Sequence, residues 1–267
     1  EMTTSTTPRK IVKPPLKWAG GKRWQVPHLE HYWTSNRQCR LVEPFCGGLA
    51  VTLGLRPQQA LLNDINPHLI NFYAWLKKGL LSRLTMENDK TLFYHHRDRF
   101  NELIKAENIT TRESAALFYY LNRTGYNGLC RFNRRGGFNV PFGRYKNIPY
   151  VSDFSDYKQA FIGWDFLCGD FTNLKLQQTD FIYADPPYDV EFTSYSMKKF
   201  TWKDQVRTAE WLSTHPGPVI LVNQATTRIQ SLYRHFGFTL RYLNAPRRIS
   251  RTGDRTPARE VLGTRNL

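Results

Sequence analysis

Short apolar runs separated by helical segments recur along the 267-residue chain, and several of these runs end at an acidic residue. The first two cover residues 40–42 and 60–66, and others end at Asp170, cover residues 181–184 and fill the stretch "PGPVILVNQ". Strands that alternate with helices favour a parallel sheet with helices on both faces. We therefore predict an α/β fold with a largely parallel, doubly wound sheet.

The alternation is interrupted between residues 68 and 151. Apolar spacing from 68 to about 105 is helical, and residues 114–123 form another helical segment that ends before Gly125. Residues 131–133 and 138–140 are strand-like around a turn at 134–137, which predicts a β-hairpin. We predict that 68–151 is an inserted, mainly helical domain, and that 1–67 and 152–267 together form the main domain.

The charge balance indicates a polyanionic partner. The chain has 38 Lys and Arg residues against 22 Asp and Glu residues, a formal net charge of +16. Between residues 121 and 146 six basic residues occur without an acid, and five aromatic residues are interleaved with them. A solvated charged face does not need those aromatics, whereas a nucleic-acid surface uses both groups. This segment therefore predicts a nucleic-acid-binding surface.

Other patterns argue against several protein classes. No apolar run reaches membrane-spanning length, and the first 15 residues lack the apolar core of a signal peptide. No Walker-type motif occurs, which argues against a phosphate-binding NTPase. The cysteines have neither CxxC nor zinc-type spacing, so we expect incidental thiols in a reducing cytoplasm; they are Cys39, Cys46, Cys130 and Cys168.

The stretch "EPFCGG", residues 43–48, joins the first predicted strand to a helix that begins near Leu49. In an α/β fold such a glycine-rich turn lets the backbone approach a nucleotide-like ligand. Asp64 ends the next strand, close to the spacing of an acid that binds ribose hydroxyls. A tight turn followed by a helix-capping aspartate would give the same pattern.

The stretch "LKWAGGK", residues 16–22, places two glycines between Trp18 and Lys22. Exposed backbone beside an aromatic plane and a cation would suit a flat or carboxylate-bearing ligand. A glycine turn anchored by a core tryptophan is the alternative.

The stretch "FIYADPPY" ends a buried strand with a carboxylate and two prolines. Asp185 would lie at the carboxyl end of the strand, the usual ligand edge of an open α/β sheet. Pro187 holds Pro186 extended, and neither proline has an N–H, so the backbone there offers only carbonyl acceptors. Asp185 and a fixed carbonyl beside the ring of Tyr188 suit a planar amino group, such as the exocyclic amine of a base. A strand-terminating turn is the alternative.

From "LKWAGGK" to "APRRIS" the chain resembles the Dam-type DNA adenine-N6 methyltransferases of bacteria and phages, with the motif order of the α group. Its stretch "LNRTGYNGLCRFNRRGGFNVPFGRYK" is similar to the target-recognition hairpin of that family. The resemblance implies a Rossmann-like class I methyltransferase fold, in which 1–67 and 152–267 bind S-adenosylmethionine and 68–151 recognise DNA. It also implies methyl transfer to N6 of a flipped adenine in double-stranded DNA, with GATC as the favoured site.

The resemblance further implies a role for each site residue. In the catalytic set, Asp185 and the Pro186 carbonyl accept hydrogen bonds from the adenine amine and Tyr188 stacks on the base; the set is Asp185, Pro186, Pro187 and Tyr188. The turn at 43–48 would lie beside the methionine and ribose parts of the cofactor, and Asp64 would bind the ribose hydroxyls. The stretch "CGDF" would lie near the cofactor adenine. The cofactor-binding set is Trp18, Ala19, Gly20, Gly21, Lys22, Glu43, Pro44, Phe45, Gly47, Asp64, Asp170, Phe171 and Asp185.

For DNA, the resemblance and base-edge chemistry make Arg131 a bidentate donor to guanine and Lys17 a contact to another guanine. Tyr126 and Asn127 would enter the duplex near the displaced base. The remaining DNA contacts are Leu129 and Pro141, which are apolar, and Arg144, Tyr145 and Lys146, which lie mostly on phosphates. We expect a cytoplasmic, nucleoid-associated monomer that uses no metal and no membrane.

Two segments are less typical. The Arg-rich stretch that follows Arg247 and Arg248 is either a flexible DNA-facing loop or charged surface, and residues 189–202 are expected to close over the site when DNA binds. Two alternative functions remain at this point. One is an amino-methyltransferase for RNA adenine, cytosine N4 or protein glutamine, and the other is a DNA-binding regulator without catalysis.

Overall fold

A computed structural model of the chain describes residues 9–189, 200–246 and 259–267. Within them a seven-stranded sheet has the order β3-β2-β1-β4-β5-β7-β6. Strands β3 through β5 in that order are parallel, and β7 runs antiparallel to both neighbours. The strands are β1 (Leu41–Glu43), β2 (Ala60–Asp64), β3 (Trp164–Cys168), β4 (Phe181–Ala184), β5 (Val219–Gln224), β6 (Thr239–Asn244) and β7 (Arg259–Arg265).

Helices cover both faces of the sheet, which confirms the predicted α/β class. Side chains alternate along the central strands, so that Leu41 packs into one hydrophobic core and Val42 into the other. Helices α1 to α3 contribute to the first core and α7 and α8 to the second. The helices are α1 (Val26–Trp33), α2 (Ala50–Leu55), α3 (Pro67–Lys77), α4 (Lys90–Lys105), α5 (Arg112–Thr124), α6 (Ser155–Ala160), α7 (Trp202–Ser213) and α8 (Thr227–His235).

The antiparallel edge of the sheet differs from the prediction. Strand β6 was not predicted, and β7 begins at Arg259, inside the Arg-rich stretch that the sequence presented as a loop. β7 lies between β5 and β6 and buries Val261 and Leu262, so burial rather than charge decides the structure from Arg259 onward.

The order of the strands creates one crevice at the carboxyl ends. The chain passes from β1 to β2 on one side and later returns to β4 on the other side of β1. In open α/β sheets, ligands bind where the strand order reverses in this way. The turn after β1 and the segment after β4 therefore meet at the same place.

The predicted helical stretch from 68 to 105 is two helices. Asn66 caps α3 by accepting hydrogen bonds from the N–H groups of His68 (3.0 Å) and Leu69 (3.3 Å), and Pro67 occupies the first turn. Gly79, at φ +76°, follows the end of α3, and Asp89 caps α4 by accepting from Leu92 N–H at 2.8 Å. Helix α3 packs on β2 and β3 and also on α5. The domain division at 67/68 and 151/152 stays a prediction.

The predicted hairpin is present as one antiparallel bridge, between Phe132 and Phe138, rather than as two paired strands. Across it, Asn133 N–H donates to the Gly137 carbonyl at 2.8 Å. Phe138 is buried, and both its backbone groups are bonded to one side chain of α4. Asn101 accepts from Phe138 N–H at 2.7 Å and donates to its carbonyl at 3.0 Å. The helix thus supplies the hydrogen bonds that a neighbouring strand would otherwise make.

Candidate active site

A cavity of about 420 Å³ lies at the switch point of the sheet. All three sequence motifs line it: the "WAGGK" loop, the turn after β1 and the segment after β4. The predicted residues that line the cavity are Trp18, Ala19, Gly20, Gly21, Lys22, Glu43, Phe45, Gly47, Asp64, Asp185, Pro186, Pro187 and Tyr188. Sequence reasoning did not name Ala50, Val51, Ile65 and Tyr183, which also line it.

Asp64 holds the turn after β1 rather than capping a helix. Its Oδ2 accepts from Gly47 N–H at 3.0 Å and its Oδ1 from Asn66 N–H at 3.0 Å. On the other side of the turn, the Tyr73 hydroxyl donates to the Gly47 carbonyl at 2.6 Å. Asn66, and not Asp64, caps α3, and Asp64 lines the cavity. The alternative of a simple helix-capping aspartate therefore does not hold.

The two motif loops pack directly against each other. A Cβ on Gly48 would lie 2.9 Å from Trp18 Cβ, and one on Gly47 would lie 3.2 Å from Trp18 Nε1. Gly47 also has φ +45°, which favours glycine. The glycines of "EPFCGG" therefore allow the Trp18 ring to form a wall of the cavity.

Three carboxylates and one ammonium determine the electrostatics of the cavity: Glu43, Asp64, Asp185 and Lys22. Burial raises the pKa of Glu43 to about 8, with the nearby Asp185 and Asp64 adding to the rise against hydrogen bonds from Thr52. Burial raises the pKa of Asp185 to about 7 although Lys22 opposes this, and burial also raises the pKa of Asp64. A second positive charge in the cavity would stabilise the ionised forms of these carboxyl groups, so the cavity favours a cationic ligand.

Lys22 forms the only ion pair that Asp185 makes with a described residue. Its Nζ lies 3.5 Å from Asp185 Oδ2 and donates to the Gly20 carbonyl at 2.5 Å. The same ammonium lies 4.4 Å from the centre of the Tyr188 ring. Lys22 thus connects the "WAGGK" loop to both polar and aromatic groups of the segment after β4.

The two prolines differ in their surroundings. The Pro187 carbonyl accepts from Gln205 Nε2 of α7 at 2.7 Å. No donor among the described residues bonds to the carbonyl of Pro186, whose residue is buried beside Asp185. This leaves the Pro186 carbonyl and the Asp185 carboxylate as adjacent acceptors.

Three predicted cofactor residues, Pro44, Asp170 and Phe171, are not among the residues that line this cavity. The Pro44 carbonyl accepts from Asn63 Nδ2 at 3.0 Å, and Phe171 packs on Phe45 with ring centres 5.3 Å apart. Asp170 forms an ion pair with Arg207 at 2.9 Å, and Arg207 holds the pKa of Asp170 well below its usual range. Phe171 therefore supports the lining residue Phe45, and Asp170 is held by Arg207.

Lys17 lies beside the predicted DNA-entering turn. Asn122 bonds to both backbone groups of Lys17, at 2.9 and 2.7 Å. The Lys17 ammonium lies 3.9 Å from the centre of the Tyr145 ring, and the Tyr145 hydroxyl donates to the Gly125 carbonyl at 3.1 Å. A Cβ on Gly128 would lie only 2.5 Å from Lys17 Cβ, so this glycine permits the close packing.

The turn next to Lys17 exposes apolar side chains. Tyr126 is 45% exposed and Leu129 is 38% exposed, while Asn127 between them has φ +53°. Pro141 is exposed, and its carbonyl accepts from Tyr126 N–H at 2.9 Å. Exposed apolar groups in a basic segment are typical of a contact surface.

The arginine that we predict to read a base is held within the hairpin. Arg131 Nε donates to Asn139 Oδ1 at 2.8 Å, and its Nη2 donates to the Asn139 carbonyl at 3.2 Å. Arg144 and Lys146 are exposed further along the segment. Residues 190–199 of the predicted closing segment at 189–202, together with Arg247 and Arg248, lie outside the described residues.

In the described ranges, no helix combines the length and apolar character that crossing a membrane requires. Across the same residues, no cluster of three or more His, Cys, Asp or Glu side chains could hold a metal ion.

Comparisons with known proteins agree with the motif geometry. A family model described as D12 class N6 adenine-specific DNA methyltransferase matches residues 18–248. The chain is 38% identical to the retron Ec67 DNA adenine methylase of Escherichia coli, over 92% of this chain and 89% of that relative. It is 37% identical to the DNA adenine methylase of Vibrio cholerae serotype O1, over 89% of this chain and 90% of the relative. The chain is 36% identical to the DNA adenine methylase of Serratia marcescens, over 88% of this chain and 92% of that relative.

Proposed function

Because the chain belongs to the D12 class of N6 adenine-specific DNA methyltransferases, we propose that it methylates adenine N6 within GATC in double-stranded DNA, with S-adenosylmethionine as methyl donor. The observation that carries the cofactor assignment is that the carboxylates of Glu43, Asp64 and Asp185 line the switch-point cavity together with Lys22, whose ammonium pairs with Asp185. The hairpin at 131–140, whose sequence resembles the target-recognition hairpin of the family, supports the proposal of GATC as the target sequence.

The residues of the cavity fit this cofactor. S-adenosylmethionine supplies an electrophilic methyl group on a positively charged sulfonium. Glu43, Asp64 and Asp185 offer the negative charge that such a cation needs, and the spacing of Asp64 supports a role as acceptor for ribose hydroxyls. Lys22 is the cation available for the carboxylate of the methionine part. Trp18 and Phe45 provide flat surfaces for the rest of the molecule.

Asp185 and Pro186 act on the amine of the target base. The lone pair of adenine N6 is delocalised into the ring, so the amine is a weak nucleophile. Two acceptors that bind its two hydrogens localise that lone pair and stabilise the charge that develops on nitrogen. Asp185 must be ionised for this role, and Lys22 exchanges its contact with Asp185 for the methionine carboxylate when both ligands are bound.

The target adenine reaches these acceptors by leaving the base stack, which costs a few kcal/mol. Tyr188 offsets part of this cost by stacking on the base. Tyr126 and Asn127 occupy the space that the displaced base leaves in the duplex, since their turn projects exposed side chains beside Lys17.

Arg131 reads guanine in the major groove. Its bonds to Asn139 use Nε and one hydrogen of Nη2. The remaining three N–H groups make no hydrogen bond to a described residue, and two of them can donate to O6 and N7 of guanine. The bond to Asn139 fixes the direction of this donor edge. Arg144 and Lys146 contribute phosphate contacts, and a monomer suffices for the reaction.

One assay tests the proposal. Purified protein is incubated with labelled S-adenosylmethionine and unmethylated plasmid, and the product is cut with restriction enzymes that distinguish methylated from unmethylated GATC. We expect label in adenine and protection only at GATC. Label in RNA or in cytosine would support the alternative amino-methyltransferase, and label at other adenine sites would refute the GATC assignment alone.

A matched pair of variants tests the site. Asp185→Ala should abolish methyl transfer and retain DNA binding, because it removes an acceptor without touching the hairpin. Asp156→Asn changes an exposed position on α6 that does not line the cavity, and it should behave as wild type. Normal activity of Asp185→Ala would refute the assigned mechanism.

A further inference from the structure

A buried hydrogen-bond chain lies directly behind the proposed active site. The Tyr188 hydroxyl donates to Glu260 Oε2 at 2.9 Å, and Gln25 Nε2 donates to the same oxygen at 2.8 Å. The Tyr183 hydroxyl then donates to Gln25 Oε1 at 2.7 Å. Glu260 is 7% exposed, and Gln25 and Tyr183 are almost completely buried.

The chain joins four parts of the fold that are distant in sequence. Gln25 lies in the short 3-10 helix after the "WAGGK" loop, Tyr183 in β4, Tyr188 after β4 and Glu260 in β7. Strand β7 pairs with β5 so that Glu260 lies opposite Gln224, at the end of β5 nearest the cavity. The antiparallel edge of the sheet therefore contributes a functional group to the switch point.

Burying a carboxylate in this place is costly for folding. Two neutral donors compensate the desolvation of a carboxylate only in part, and an apolar side chain of similar size would pack in β7 without that cost. The same carboxylate accepts a hydrogen bond from the phenol of Tyr188, which lines the cavity beside Asp185. A role at the site explains its presence better than stability does.

Because Tyr188 is the ring on which the proposed function places the flipped adenine, fixing this phenol fixes the plane that receives the base. We propose that Glu260 is a positioning residue for methyl transfer: its carboxylate, itself held by Gln25, keeps the Tyr188 ring in place. This inference rests on the proposed function.

The charged groups around Asp185 predict how Glu260 affects the reaction. Asp185 interacts electrostatically with six groups: Lys22 from the "WAGGK" loop, Glu43 from β1, Tyr183 from β4, Tyr188 from its own segment, Tyr233 from α8 and Glu260 from β7. Glu260 raises the pKa of Asp185 through its negative charge. Removing that charge lowers this pKa, so Asp185 stays ionised at lower pH.

Two substitutions separate the hydrogen bonds from the charge. Glu260→Gln keeps an oxygen acceptor for Tyr188 and Gln25 but removes the charge. It should retain kcat at neutral pH and move the acidic limb of the pH–rate profile to lower pH. Glu260→Leu removes both, and it should lower kcat on the order of a hundredfold, the cost of a misplaced reacting group, with less effect on KM for DNA.

Further variants distinguish positioning from general damage to β7. Thr264→Val changes a buried residue on the same face of β7, four residues further along, and should leave kcat and the pH profile unchanged. Tyr188→Phe and Glu260→Leu should not be additive, because each breaks the same bond. The melting temperature of each variant shows whether it is folded.

The outcomes distinguish this inference from the proposed function. If wild-type protein does not label adenine, the proposed function fails. If wild-type protein is active and folded Glu260→Leu matches it in kcat, with an unshifted pH profile for Glu260→Gln, the inference is wrong and the proposed function stands.

Discussion

Replacing Asn101 with alanine should loosen the recognition hairpin without unfolding the protein. Asn101 makes two hydrogen bonds, of 2.7 and 3.0 Å, to the backbone of Phe138. Each such bond contributes about 1 kcal/mol net, so docking of the hairpin on α4 should weaken by about 2 kcal/mol. Since every 1.4 kcal/mol is a factor of ten, the open fraction should rise roughly 30-fold.

Native-state hydrogen exchange measures this opening directly. The useful reporters are the amides of Asn133 and Asn139, which donate across the hairpin to the carbonyls of Gly137 and Arg131 rather than to Asn101. Their protection should fall by the predicted factor in Asn101→Ala. In Asn101→Asp, which keeps the acceptor for Phe138 N–H, the loss should be roughly fivefold, corresponding to about 1 kcal/mol.

A control and a functional readout complete the experiment. Thr91→Ala changes an exposed residue in the first turn of α4 and should leave the protection of both reporters as it is. The KM for DNA should rise in Asn101→Ala while cofactor affinity is retained. Unchanged protection of both reporter amides in Asn101→Ala would refute the conclusion that the helix holds the hairpin.

Three further predictions concern the cavity. Affinity for S-adenosylmethionine should rise between about pH 6 and 8, because a cation favours the ionised forms of Asp185 and Glu43. Burial raises the pKa values of these two carboxyl groups to about 7 and about 8. Calorimetry in two buffers should detect proton release on binding, and an affinity that does not change with pH would contradict the prediction. Gly48→Ala should weaken cofactor binding, since its Cβ would lie 2.9 Å from Trp18 Cβ; titration calorimetry measures the loss. Arg207→Met should lower the melting temperature at neutral pH, because it removes the ion pair with Asp170. The difference from wild type should shrink below about pH 4, since Asp170 is then protonated first in the unfolded chain and, at still lower pH, in the folded one. An equal difference in melting temperature at all pH values would rule out the ion pair as its cause.

Local patterns were sufficient to predict the parallel part of the sheet and most of the cavity lining. Strands β1, β2 and β4 are short apolar runs whose ends carry Glu43, Asp64 and Asp185, and parallel strands bring such ends to one edge. Tyr183 was missed although it lies two residues before Asp185, and residues two apart in a strand point to the same face.

Glu260 and the bonds of Asn101 could not be found in this way. Glu260 is 72 residues from Tyr188, and its role depends on an antiparallel pairing that follows an Arg-rich stretch with no strand signal. The hairpin was predicted to form its own strand pairs, yet its second arm bonds to a helix. Contacts between distant segments depend on packing that periodicity does not encode.

The segment from Asp64 to His68 connects the switch-point cavity to the hairpin at 131–140. Asp64 holds the turn beside the cavity, and Asn66 Nδ2 contacts Cys130 Sγ at 3.5 Å. The His68 ring stacks on Phe132, with centres 4.9 Å apart and planes 15° apart. Burial lowers the pKa of His68 to about 4, so it is neutral near pH 7 and the stack carries no charge. Asp64 thus contacts the wall of the cavity while Asn66 and His68, two and four residues later, contact the hairpin, so packed side chains join the two places.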